Sequence, residues 1–486
     1  MNETSYPDKW KILIAVQLAI FMCTFEISVV NLALPVIQDV FDAPLTRVKW
    51  VAVLYSATVA LCLPVTAYLG RRYGTVRVYR LGQLFFSIAT VSCGFARSLE
   101  VLLLLRMVSG FGAAFLLSLN RVVVLGSFPG SQHGMALGVS GSTFALGIVS
   151  GLAAGGLLIE TLGWQSVFFV NLLAAIPMLL LSWRALRSRT LGIEQERIAF
   201  DAKGCLLTVA GLGLIVYAVT HLLELLTSPD LESLLIIAAS LLLVPLWLRH
   251  EFRAGDSFLN LHIIKTYPLP YNFLNTLVVR FSIGALNFIV PFYLQTCLAL
   301  SPFRASVVLC SGAVATGICG PLAGRWIDRI GPMMLLRIGL VLIFLGCICY
   351  TLLPSGSAAQ ADTGAAIALV VLAQIFIGTG SVCFSGAFLF SSMRGVSRQS
   401  WASISSLQSV VMMAGSAIGA SVAADLVGTW ASGTELDQGI SFTGFFLLFL
   451  LLGGMVGGLA LYAFIYKRKP YDAASASSRE GVCEHG

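Results

Sequence analysis

One carboxylate, Glu26, stands alone in the run KILIAVQLAIFMCTFEISVVNLALP. Three arginines have equally apolar surroundings: Arg106 in LLLLRMVSG, Arg121 in SLNRVVVLG and Arg280 in NTLVVRFSIGALNF. A charge held in hydrocarbon costs at least about 3 kcal/mol, so groups kept there are expected to do work. Desolvation brings the titration of a carboxyl toward neutral pH, where it can take up and release a proton. Guanidinium stays cationic and holds a carboxylate through paired N–H donors. Glu26 is the only acid deep in such a run, since Glu160, Glu224 and Asp425 lie nearer the ends of theirs. Arg106 enters its own run at a comparable depth and is the expected partner. The pair reads either as a proton switch or as a permanent lock between two helices, and the expense of an isolated acid favours the switch.

The elements that must position these groups follow from composition. Of 486 residues, 57% are hydrophobic and only 11% charged, and the mean hydropathy is +0.89. A soluble domain does not have this balance. Fourteen apolar stretches of roughly 20 residues, the length that crosses a bilayer, lie near 12–36, 50–69, 78–96, 100–126, 134–158, 166–184, 203–223, 233–249, 270–295, 303–323, 335–354, 364–388, 402–427 and 441–466. The expected fold class is an all-α membrane protein of fourteen transmembrane helices. The ten-residue alternating strands of a membrane barrel do not appear. Most of the 30 Lys and Arg residues fall in the N-terminus, the even-numbered loops and the C-terminus, whereas Arg47, Lys49, Arg97 and Arg304 fall in odd-numbered loops. Basic loops stay on the inner side, so both termini are expected in the cytoplasm, with the chain in the cytoplasmic (inner) membrane. The first span would serve as the insertion signal. The net charge of +7 reflects this bias and the KRK at 467–469, which suits anionic head groups and is no argument for nucleic acid.

All but one of the 11 cysteines lie in or beside apolar spans, and none forms a CxxC pair. They read as small buried hydrophobes. No metal site, nucleotide loop or nucleophile constellation is visible, so neither an enzyme nor a cofactor is expected. A channel would need a ring of charges or a filter, and none recurs.

An internal repeat organises the chain. Arg72, Gly74, Arg80 and Gly82 of TAYLGRRYGTVRVYRLG recur as Arg329, Gly331, Arg337 and Gly339 of AGRWIDRIGPMMLLRIG. Each copy closes one span and opens the next. Two six-helix halves follow, 1–184 and 254–466, with two inserted helices and their flanking loops at 185–253 and a disordered cytoplasmic tail at 467–486.

Taken in order, several segments resemble the major facilitator superfamily, and more narrowly its fourteen-span drug:proton antiporters. FEISVVNLALP is similar to the family pattern acid-x-T-[IV]-V-N-x-A-L-P, with Glu26 where Asp is usual and Ser28 where Thr is usual. The loop segments resemble G-x-L-x-D-R-x-G-R; Arg71 takes the place of the acid in the first copy, and Asp328 keeps it in the second. Arg106, Ser109, Gly110, Gly112, Ala113 and Ala114 match R-x-x-[QS]-G-x-G-A-A. Gly147, Gly151, Gly155 and Gly156 are similar to the antiporter motif G-x-x-x-G-P-x-x-G-G, with Leu152 at the proline position. The resemblance implies the major facilitator fold and multidrug export coupled to protons, with Glu26 and Arg106 as the coupling pair. It also implies a cytoplasmic gate at Arg71, Arg72, Gly74, Asp328, Arg329 and Gly331.

Asn31, Arg121, Asn275, Arg280 and Asn287 are the candidate cavity residues. Each asparagine reads equally as interhelical glue, and Arg121 as a side chain snorkelling to the interface. One buried acid against three arginines would repel a dication and suit neutral, zwitterionic or anionic cargo. Phe281, Phe288 and Phe292 share a side of the ninth span, as a lipid-facing stripe or an aromatic wall. Two functions stay open: a multidrug exporter, or an exporter of one anionic or zwitterionic metabolite such as a carboxylate or siderophore. The expected partners are a small-molecule substrate, protons and the lipid bilayer, and a monomer is expected to suffice.

Overall fold

The computed structural model describes residues 8–129, 132–186, 202–220, 231–253, 269–353, 362–393, 401–431 and 452–459, and among them every regular element is helical. The first helices are α1 (Lys9–Phe41), α2 (Leu45–Tyr73), α3 (Thr75–Cys93), α4 (Leu99–Ser127) and α5 (His133–Leu162). A single turn, Ser166–Phe169, leads into α6 (Asn171–Ala185). Then come α7 (Ala202–Thr220), α8 (Leu231–Arg253), α9 (Leu269–Phe292), α10 (Pro302–Ile330), α11 (Pro332–Thr351), α12 (Thr363–Met393) and α13 (Trp401–Ala431). The run 452–459 is helical. The expected tail at 467–486 and most of the fourteenth expected span lie outside the described residues.

Among the described residues, ten helices are long and apolar enough to cross a membrane. All backbone groups must be satisfied inside the segment there, which helices alone achieve along an open chain. α3 falls short by composition, because Arg77, Arg80 and Gln83 interrupt its apolar run, yet it packs between α4 and α6. α7 contributes a shorter apolar stretch, Lys203–Ile215.

Local sequence sets the helix ends. The Ser98 hydroxyl accepts from the Val101 N–H at the start of α4, and Ser301 accepts from the Arg304 N–H at the start of α10. Pro302 and Pro332 open α10 and α11, where a missing N–H costs nothing. The repeat is visible in the backbone: Gly74 and Gly331 carry φ of 94° and 80° at the equivalent tight turns, a region that L side chains avoid. Pro291 near the end of α9 is followed by a π turn, Tyr293–Cys297.

Helices α1–α6 pack as one group and α9–α13 as a second. The groups meet through α2 on α13, α5 on α10 and α1 on α9, while α8 packs on α7, and α7 on both α2 and α13. Turns at 42–44, 94–98, 163–165 and 298–301 lie at one end of the bundle, here the first-turn end. Turns at Gly74, 128–129 and Gly331 lie at the opposite, second-turn end.

Contacts between the groups gather toward the first-turn end. Gln295 donates to the Leu32 carbonyl at 3.0 Å, and the Phe303 N–H donates to Glu160 at 3.2 Å. A Cβ on Gly156 would lie 2.3 Å from Ser306 Oγ. Farther along α10, Cβ atoms on Gly317 and Gly320 would meet nothing within 4 Å. The same glycine row seats α5 on α1: a Cβ on Gly147 would fall 1.9 Å from Thr24 Oγ1, one on Gly151 2.7 Å from the Phe25 carbonyl, and one on Gly155 2.3 Å from Val29 Cγ2. Small residues that let backbones approach are a general means of helix association in membranes.

That packing makes a contrast. Gly151→Ala should cost about 1–3 kcal/mol by overpacking α5 against α1, seen as a lower thermal midpoint of the purified protein. Gly317→Ala, facing open space, should leave the midpoint unchanged or raise it slightly.

Candidate functional site

Glu26 sits at the middle of α1 and is fully buried; Arg106, on α4, is 1% exposed. Arg106 Nη1 donates to Glu26 Oε1, and Thr90 Oγ1 of α3 donates to Glu26 Oε2 at 2.9 Å. Arg106 Nε donates to the Val51 carbonyl of α2 at 2.9 Å. Its guanidinium carbon lies 4.2 Å from the centroid of the Tyr55 ring, a cation–π distance. Four helices therefore converge on one ion pair. Close approach of α4 makes this possible, for a Cβ on Gly110 would stand 2.7 Å from the Tyr55 carbonyl and one on Gly112 2.5 Å from the Phe86 nitrogen.

Both carboxylate oxygens have donors, and the guanidinium has an anion, a carbonyl and a ring. Protonation of Glu26 would remove the anion and leave Arg106 on its α2 partners alone. A single proton at this point can thus change how α1, α2 and α4 hold one another.

The other candidate residues are not gathered into one contact. Among the described residues, Asn31, Arg121, Asn275, Arg280 and Asn287 do not hydrogen-bond one another. Asn31 is half-buried and, five residues beyond Glu26, lies about 140° round the helix from it. Arg121 is exposed and Asn287 is exposed. Asn275 is fully buried with both amide atoms unpartnered. Arg280 is half-buried; Nη2 donates to Ser385 Oγ of α12 at 3.3 Å, while among the described residues Nε has no partner and no carboxylate pairs with the guanidinium. Phe288 and Phe292 are 1% and 0% exposed with ring centroids 5.2 Å apart, so this part of the aromatic stripe faces protein and not lipid.

At the repeated turns, the Arg72 guanidinium lies 5.4 Å from the Tyr73 ring centroid, and Arg329 is exposed. The side chains of Arg71 and Asp328 lie outside the described residues. Arg80 donates to the Ser182 and Trp183 carbonyls, both at 3.1 Å, and to that of Leu186, closing the last turn of α6.

Two buried polar groups were missed by sequence reading. Lys49, assigned there to a loop, lies inside α2 and pairs with Asp425 of α13, at 1% and 3% exposure. Its signal was present: it is a basic residue on the side where basic residues are rare. Glu251 of α8 is fully buried and accepts from Thr208 Oγ1 of α7 at 2.9 Å, and Trp247 Nε1 donates to the same hydroxyl at 3.2 Å.

Removing one partner of a buried ion pair leaves the other charged and unpaired, at about 3–5 kcal/mol. Arg106→Met should therefore lower the thermal midpoint markedly. Adding Glu26→Gln should recover most of the loss in the same measurement.

Comparison with known proteins places this architecture. The family described as Major Facilitator Superfamily matches residues 16–420. The riboflavin transporter RibZ of Clostridioides difficile is 26% identical over 78% of this chain and 79% of its own length. The multidrug resistance protein Stp of Mycobacterium tuberculosis is 27% identical over 87% of this chain and 76% of its own. The putative multidrug resistance protein MdtD of Pectobacterium carotovorum is 25% identical over 98% and 99%. A crystal structure of an auto-inhibited POT family peptide transporter superposes with a TM-score of 0.67 at 14% identity, covering 96% of this chain and 98% of that one. The match across most of the sequence, on a bundle of this helical topology, makes the chain a member of the Major Facilitator Superfamily of multi-pass membrane transporters.

Proposed function

We propose that the protein is a proton-coupled exporter of small organic molecules, of the multidrug-efflux type, working by alternating access in a bacterial inner membrane. Fourteen spans with both termini in the cytoplasm accommodate the distribution of basic residues, and put the second-turn end inside. The halves 1–184 and 254–466 rock about a central site, with the inserted helices of 185–253 at the side where α2 meets α13. Relatives named for multidrug resistance and drug efflux support export.

The buried Glu26–Arg106 pair, held by Thr90 and Val51, carries this reading. A transporter that spends a proton gradient needs one group whose protonation alters helix contacts, and this carboxylate has partners on α3 and α4 and, through Arg106, reaches α2. In the cycle, a proton on Glu26 frees Arg106 from α1, and its release restores the pair. Gly74 and Gly331, with Arg71, Arg72, Asp328 and Arg329, form the cytoplasmic gate between successive helices. Asn31, Arg121, Asn275, Arg280 and Asn287 are offered as cavity groups contacting cargo at different stages.

Arg280 favours a second reading. It is a half-buried cation in the second half with no carboxylate partner among the described residues, suited to the carboxylate or phosphate of an anionic metabolite. A riboflavin transporter among the relatives is compatible with a specific organic cargo.

In proteoliposomes with an imposed pH gradient, Glu26→Gln should abolish proton-driven efflux while the protein still inserts and purifies normally. Unchanged efflux would remove Glu26 from the coupling step. Arg280→Gln should weaken transport of anionic compounds at least about tenfold and leave cationic dyes little affected. The opposite ranking would remove the anionic reading.

A further inference from the structure

We propose that Lys49 and Asp425 form an outer latch between the two halves, an ion pair that must part each time the transporter opens at its first-turn end. The proposal rests on the alternating-access reading above, but not on the identity of the cargo or of the coupling ion.

The two residues belong to different halves, Lys49 to α2 and Asp425 to α13. Lys49 Nζ donates to Asp425 Oδ1, and both side chains are closed off from solvent, at 1% and 4% exposure. The ammonium also lies 5.5 Å from the centroid of the Trp50 ring. Lys49 is four residues into α2, about 6 Å along its axis. The pair therefore sits about one turn inside the first-turn end, where Gln295–Leu32 and Phe303–Glu160 also join the halves. A surface ion pair holds little. One shielded by both halves is different, because opening must separate two opposite charges that are withdrawn from solvent. The pair is thus positioned to favour the conformation closed at this end.

Its location also ties the latch to Glu26. Val51, whose carbonyl takes the Arg106 Nε proton, follows Lys49 by two residues on the same helical turn of α2. Loss of the Glu26 anion would leave Arg106 bound to α2 without its tie to α1. The first turns of α2 are therefore in contact with both ion pairs, and a shift of α2 at one is felt at the other. This is a continuous set of contacts between a candidate proton site and the contact that closes the outside.

Hydrogen–deuterium exchange on the full-length protein in detergent or nanodiscs tests the latch without requiring transport. Lys49→Gln should speed exchange at the first-turn ends of α2, α5, α10 and α13 by about tenfold, and slow it at their second-turn ends, as the population moves toward the outward-open form. The charge swap Lys49→Asp with Asp425→Lys should return the pattern toward that of the natural protein. The double variant Lys49→Met with Asp425→Leu removes both charges while filling the space, and guards against a single variant that fails to fold. It should fold and show the same redistribution. A pattern unchanged in Lys49→Gln and in the double variant would overturn the latch. Faster exchange at both ends alike, uncorrected by the swap, would also overturn it, since that is the signature of general loosening. Loss of proton-driven efflux in Glu26→Gln bears on coupling alone, so the two readings fail separately.

Discussion

The desolvation of the Glu26 carboxylate is the constraint around which the first six helices are arranged. A carboxylate at mid-membrane is tolerable only with a counter-charge and with its remaining lone pairs filled. Arg106 supplies the charge, and Thr90 fills the second oxygen. Arg106 in turn needs acceptors for the donors that Glu26 does not use, and takes the Val51 carbonyl and the Tyr55 ring. Meeting these needs fixes the spacing of α1, α2, α3 and α4 to within hydrogen-bond length. Gly110 and Gly112 are the structural price: any side chain there would hold α4 off the helices that complete the site.

The same approach of backbones operates between the halves, with another consequence. Gly147, Gly151 and Gly155 fasten α5 to α1 within the first half, while Gly156, one position on, lies against Ser306 and Phe303 of the second. Gly156 thus lets α5 approach α10 of the second half as Gly151 lets it approach α1. A small residue at such a contact spares two helices the interlocking of large side chains. Polar contacts also cross between the halves, Glu160 with the Phe303 N–H at this seam and Lys49 with Asp425 between α2 and α13, and supply the directionality that glycine packing lacks.

Much of this was legible in the sequence, for reasons that the residues make plain. Glu26 and Arg106 stand out because hydropathy is sharp in lipid-facing proteins, and rise per residue puts them at similar depth. The turns at Gly74 and Gly331 were legible because a repeated glycine between two basic helix ends marks a backbone requirement, here a positive φ. Lys49 was not, because drawing the second span from residue 50 left it one position outside; hydropathy alone cannot say that a helix continues through a lysine when a carboxylate from the other half awaits it. Asp425 lies 376 residues away, and no local pattern joins them. Glu251 failed for a similar reason, since its acceptor role depends on Thr208 of the neighbouring inserted helix. The aromatic stripe on α9 was read by periodicity, which finds a face but not what the face meets; Phe288 and Phe292 meet protein.

The structure also changes the electrostatic argument about cargo. Counting charges along the sequence set one acid against three arginines, but charges act through their neighbours. Glu26 and Arg106 cancel within the first half, and Lys49 and Asp425 cancel across the halves. Arg121, on α4, has no such cancelling partner among the described residues and stays a cation of the first half. Beside it stands Arg280, half-buried, with only a weak hydroxyl partner at 3.3 Å and its Nε unfilled. A surplus of two cations, one in each half, is a weaker bias than three. It disfavours a dication near α9 and leaves neutral and singly charged molecules admissible, which is the breadth that polyspecific export requires. Selectivity for an anion would then have to come from a second donor beside Arg280, and the unpartnered amide of Asn275, on the same helix, is the nearest such group in the sequence.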